Sequence, residues 1–148
     1  MTPAQQAALE ACAGRPLVQA DFDVLEPLLA IRNDVVMAAH LSIGRTRIVP
    51  TQTGIGTVLG VMAPDGGDFL NTIETLGATD GNCKWTLRLI EAGHLDIGNP
   101  VTRAQFQIFG MFHSAHAAPI AALLAEGVCA DPLDVSVLSD KLNSAGGA

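Results

Sequence analysis

Tyrosine is absent from this sequence, and phenylalanine and tryptophan together supply only 4 % of it. β-Sandwich cores draw on aromatic and β-branched side chains, so this is poor material for one. Charge is scarce too: Asp, Glu, Lys and Arg make up 16 % of the residues, against about a quarter in an ordinary globular domain. A small isolated domain is covered badly by so little polar material, which implies that neighbouring protein covers part of its surface. Basic residues are the rarest class, 8 against 15 acidic, for a net charge of −7. They are scattered, and no cluster exceeds the Arg45/Arg47 pair. Binding a phosphate backbone needs a basic patch, so no direct nucleic-acid binding is expected. The three cysteines, Cys12, Cys83 and Cys129, form an odd set without a CxxC motif. That argues against a disulfide scaffold and for folding in a reducing cytoplasm. No run approaches the roughly eighteen apolar residues of a membrane span. The opening MTPAQQAALEACAG lacks the basic and hydrophobic regions of a signal peptide.

What is present favours helix. The 148 residues are 49 % hydrophobic, much of that alanine and leucine, and a chain of this length can bury a core without a metal or disulfide. The expected fold is all-α: a compact bundle of roughly six to eight short helices with one extended segment near residues 45–51. A single domain over residues 1–143 and a flexible tail over 144–148 complete the reading.

Thr2-Pro3 caps a first helix that runs to about Gly14. Asp21 caps a second, with Phe22, Leu25, Leu28 and Leu29 on its apolar face. Asn33 caps a third, in which Val35, Val36, Ala39 and Leu41 recur at helical spacing before Gly44 stops it. In RTRIVPTQ the β-branched Ile48 and Val49 precede Pro50, which pushes Val49 out of the helical region. Helix resumes near Gly54, with Ile55, Val58 and Leu59 inward, and APDGGD is a turn. Residues 68–76 form a helix burying Phe69, Leu70, Ile73 and Leu76. The next, over 83–92, presents Trp85, Leu89 and Ile90 to the core and ends at Gly93. HLDIGNP reads as a linker, after which Thr102 caps a helix carrying Phe106, Phe109 and Phe112. Residues 119–126 bury Ile120, Leu123 and Leu124, and residues 133–142 form the last helix.

Several patterns invite a chemical reading. GIGTVLG spaces Gly54, Gly56 and Gly60 one residue too widely for a dinucleotide fingerprint, and it has no Lys-Ser/Thr of a phosphate loop, so close packing explains it better. His113 and His116 could share zinc, but a complete ligand set is not apparent. The pairs Asp21/Asp23 and Asp65/Asp68 could hold Mg²⁺, yet each stands at a helix start, where negative charge is favoured anyway. No serine or cysteine is matched with a histidine and an acid in a nucleophilic pattern. Catalytic, cofactor-binding and metal residues are therefore all expected to be none. Arg45 and Arg47 alternate on an extended segment, so both should point the same way. With Ile48, Val49 and Pro50 they form a candidate protein interface, directed at an acidic surface.

The runs DVVMAAHLSIGRTRIVPTQTGIGTVLG, GNCKWTLRLIEAGHLDIG and DVSVLSDKLN resemble a group of small proteins encoded among the virion-assembly genes of tailed bacteriophages and prophages. The resemblance implies a structural virion component of the head–tail (neck or connector) or tail region, present in several copies. Its partners would be other virion proteins or copies of itself, its location the virion after folding in the host cytoplasm, and it would not be an enzyme. A helical cytoplasmic adaptor or regulator and a small enzyme are the competing readings.

Overall fold

The computed structural model describes residues 1–146. It is predominantly helical: nine α-helices, one short 3-10 turn and four strands of two or three residues lie among the described residues. The chain divides into two compact units. One holds residues 1–47 together with residues 130–146, and the other holds residues 48–129.

In the first unit, α1 spans Pro3–Ala13, α2 Gln19–Ala30, α3 Asp34–Leu41 and α9 Val135–Gly146. The start of α1 satisfies its free amides by reciprocal capping. Thr2 Oγ1 accepts from the Gln5 N–H at 3.2 Å, and Gln5 Oε1 accepts from the Thr2 N–H at 2.8 Å. Gly14 ends the helix in the left-handed region at φ 67°. For α3, Asn33 Oδ1 accepts from the Val36 N–H as expected. Met37, Ala38 and Leu41 form the inward face of α3, whereas Val35, Val36 and Ala39 are exposed. Almost every residue of DVVMAAHL is apolar, so sequence periodicity leaves the phase of this helix undetermined. Those side chains join Leu9, Cys12, Leu25, Leu138 and Leu142 in one core. Residues 144–146 continue α9, where a tail was expected from residue 144; residues 147 and 148 lie outside the described residues.

The second unit contains α4 Ile55–Val61, α5 Gly66–Gly77, α6 Gly81–Glu91, α7 Pro100–Phe112, the 3-10 turn Ser114–His116 and α8 Ala117–Ala125. Its core is built from Val58, Met62, Phe69, Ile73, Ile90, Ile97, Phe106, Ile120, Leu123 and Leu124, among others. Glycine allows α5 and α6 to approach closely, because a Cβ at Gly77 would meet the Lys84 backbone at 3.1 Å. The segment read as the turn APDGGD already enters α5 at Gly66. HLDIGNP is structured rather than a linker. Its Leu95–Asp96 forms β3, which pairs antiparallel with β2, Gln52–Thr53, in the register Gln52↔Asp96 and Thr53↔Leu95. Asp96 Oδ1 then accepts from the Thr51 and Gly98 amides at 2.8 and 2.9 Å. Asn99, not Thr102, caps α7, accepting from the Val101 N–H at 2.9 Å. The remaining strands, β1 Thr46–Ile48 and β4 Val128–Ala130, pair with each other.

Candidate interaction surface

The chemistry-bearing residues singled out in the sequence turn out to hold the fold. Asp21 does not cap α2 from outside but sits within its first turn, buried, as its Oδ2 accepts from the Val18 N–H at 3.0 Å. Arg15 grips the same carboxylate with two nitrogens, at 2.6 and 2.9 Å. His40 of α3 approaches Oδ1 through Nε2 at 2.9 Å. An ionised carboxylate only accepts, so Nε2 is the protonated nitrogen of His40. Arg15 first, then the Val18 amide, hold the Asp21 carboxyl well below the usual range. This cluster ties the loop before α2 to α3.

His113 and His116 are likewise packing residues. His113 closes α7 and stacks on Phe109 with ring centroids 4.3 Å apart. His116 is buried edge-on to Phe69. Its Nε2 lies 3.1 Å from Thr72 Oγ1, whose hydroxyl donates to the Asp68 carbonyl at 2.8 Å. Thr72 can therefore only accept from His116, which places a ring proton on Nε2, and the buried Nδ1 has no hydrogen-bond partner among the described residues. Among the described residues no group of three or more His, Cys, Asp or Glu could hold a metal ion. The cysteines are free, and burial pushes the thiols of Cys12 and Cys83 up, which keeps them protonated and slow to react.

The stretch from Arg45 to Pro50 is bound to its own chain. Arg45 donates to the Cys12 carbonyl and forms an ion pair with Asp131 at 2.5 Å, so its guanidinium is used inside the first unit. Its backbone carbonyl accepts from the Asp131 N–H at 3.1 Å. Arg47 and Ile48 are exposed on β1, Val49 is half-buried with its N–H on the Gly127 carbonyl, and Pro50 is exposed. The expected common direction of Arg45 and Arg47 rested on strand alternation. At residue 45 the chain has not yet entered β1, and the ion pair to Asp131 decides where that side chain goes.

A larger outward surface lies on α7. Phe106 and Gly110 face the core, but Val101, Ala104, Ile108, Met111 and Phe112 are exposed. Met111 and Phe112 are each 81 % exposed. Positions 101, 104, 108 and 111 recur at intervals of three and four, a stripe about 15 Å long on a helix rising 1.5 Å per residue. The one charged side chain of α7, Arg103, turns inward to donate to the Ile97 and Leu124 carbonyls. The stripe is therefore apolar and uncharged. Beside it, a groove of about 410 Å³ runs between α5, α6 and α7, lined by Phe69, Ile73, Cys83, Ile108 and Phe112 among others.

The outward face of α6 differs in character. Cys83 and Ile90 are buried, while Lys84, Trp85, Arg88 and Leu89 are exposed, Trp85 by 62 %. The inward placement of Trp85 and Leu89 thus gives way to one centred on Cys83 and Ile90. Lys84 Nζ and Arg88 Cζ stand 5.7 and 6.0 Å from the Trp85 ring centre.

These features define a mainly helical protein with an exposed apolar stripe on α7. Compared with family models, with curated proteins and with solved structures, the chain finds no match in any of the three. Among the described residues no helix is long and apolar enough to cross a membrane.

Proposed function

We propose that this chain acts through protein–protein contacts, as a structural component of a tailed-phage virion in the head–tail or tail region. The observation that carries the reading is the uncharged outer stripe of α7, Val101, Ala104, Ile108, Met111 and Phe112. Interface centres are poor in charge and rich in aromatic residues and methionine, and this stripe has that composition. Full burial of Met111 and Phe112 against a partner would contribute about 1.5–3 kcal/mol each. The low charge of the whole sequence supports the same reading, and the phage context comes from the resemblance of its three long runs. On this account the chain carries out no reaction and binds no cofactor, and its partners are other virion proteins or further copies of itself. The test is to purify tailed particles from cells producing this protein and quantify it by mass spectrometry. A fixed copy number per particle is expected; its absence from washed particles would refute the virion assignment.

A further inference from the structure

We propose that the outward face of α6, formed by Lys84, Trp85, Arg88 and Leu89, docks an acidic segment of a partner protein. The inference stands apart from the virion assignment and from the α7 stripe. It begins with charge: in a chain of net charge −7, Lys84 and Arg88 stand one helical turn apart and form no ion pair among the described residues. Arg103, the other cation of this unit, is used internally. Asp80 is occupied at the start of α6, accepting from the Asn82 N–H at 2.7 Å, and Glu91 closes the helix. The two uncompensated cations flank the one tryptophan of the chain, and Leu89 follows it at the next turn.

Tryptophan and arginine are the residues most enriched where binding energy concentrates, and a ring between two cations keeps them over its face. Carboxylates on the partner would meet Lys84 and Arg88, and an apolar side chain among those carboxylates would cover Trp85 and Leu89. Nucleic acid shares the negative charge, but the net −7 of the chain opposes a phosphate backbone, whose binding grows with the number of cations engaged.

Trp85 supplies the readout, since with one tryptophan and no tyrosine the emission reports this site alone. The intact protein is titrated with a synthetic amphipathic peptide of roughly 15 residues, long enough to form helix, built from glutamate with leucine at helical spacing. A saturable blue shift is expected. Raising the salt should weaken it, and Lys84→Glu with Arg88→Glu should weaken it about tenfold. Far-UV circular dichroism checks that this variant keeps its helix; the Lys84→Gln/Arg88→Gln pair replaces it otherwise. The proposal is overturned if no saturable shift appears below about 1 mM, or if the charge-changed variant responds like the parent. A tighter response to an oligo-dT strand would reassign the face to base stacking and also overturn it. So would a shift produced by raising the protein concentration alone, which would make the face a self-contact.

Discussion

At the scale of single residues, the groups that looked chemical are the ones that tie the chain together. Asp21 was legible as an acid at a helix start, but its partners come from positions 15 and 40, and no local pattern announces such a meeting. Asp34 and Asp134 in the same unit are also held below their usual range, Asp34 by Arg32 and then by Ser139, Asp134 by Ser136. Lowered values mean that the folded form holds its protons less tightly than the unfolded chain. Their stabilisation is thus complete above about pH 5 and is lost as the pH falls through about 4 toward the folded values. Thermal melts followed by circular dichroism should show the melting temperature dropping between pH 5 and pH 3, with Asp21→Asn flattening that slope. An unchanged slope in the variant would count against the cluster as its source. Gly98 belongs to this scale too. A Cβ there would stand 2.0 Å from the Val49 carbonyl oxygen, so Gly98→Ala should cost about 1–3 kcal/mol in denaturant titrations, as overpacking does. HLDIGNP contains that glycine openly, but only the pairing of β2 with β3 gives it a reason.

At the scale of elements, helix positions were far more legible than helix faces. Caps are local chemistry, so Thr2-Pro3, Asn33 and the glycine after α6 mark real ends; Gly93 takes φ 72° and the His94 N–H reaches the Leu89 carbonyl. Which side turns inward is settled by tertiary packing, and apolar residues on both sides of α3, α6 and α7 erase the signal. For α6 the correction is testable. Ile90→Ala should destabilise by about 2–5 kcal/mol, as truncation of a buried side chain does. Trp85→Ala should stay within about 0.5 kcal/mol, as expected of an exposed position. Chemical denaturation followed by far-UV signal distinguishes them, and a Trp85→Ala loss equal to that of Ile90→Ala would put the ring back in the core.

At the scale of the whole molecule, scarcity of charge and an apolar surface belong to one argument. A chain with 16 % charged residues has few side chains with which to keep its helices' outer faces wet, and on α7 it leaves Met111 and Phe112 uncovered. The all-α class followed directly from composition and spacing. The division into two units did not, because it depends on the chain leaving the first unit at residue 47 and returning at residue 130, a long-range pairing with no local mark. The interface expected at Arg45 to Pro50 lies on a stretch where Arg45 serves its own unit, and a broader exposed apolar stripe lies in PVTRAQFQIFGMF. That stripe bears the central claim, and co-sedimentation with purified tailed particles tests it most directly. The Met111→Glu/Phe112→Glu variant places two charges on the exposed face without touching the core, so its circular dichroism and melting should match the parent. The parent should sediment with the particles at a fixed copy number and the folded variant should be left in the supernatant. Equal incorporation of the two would contradict the claim.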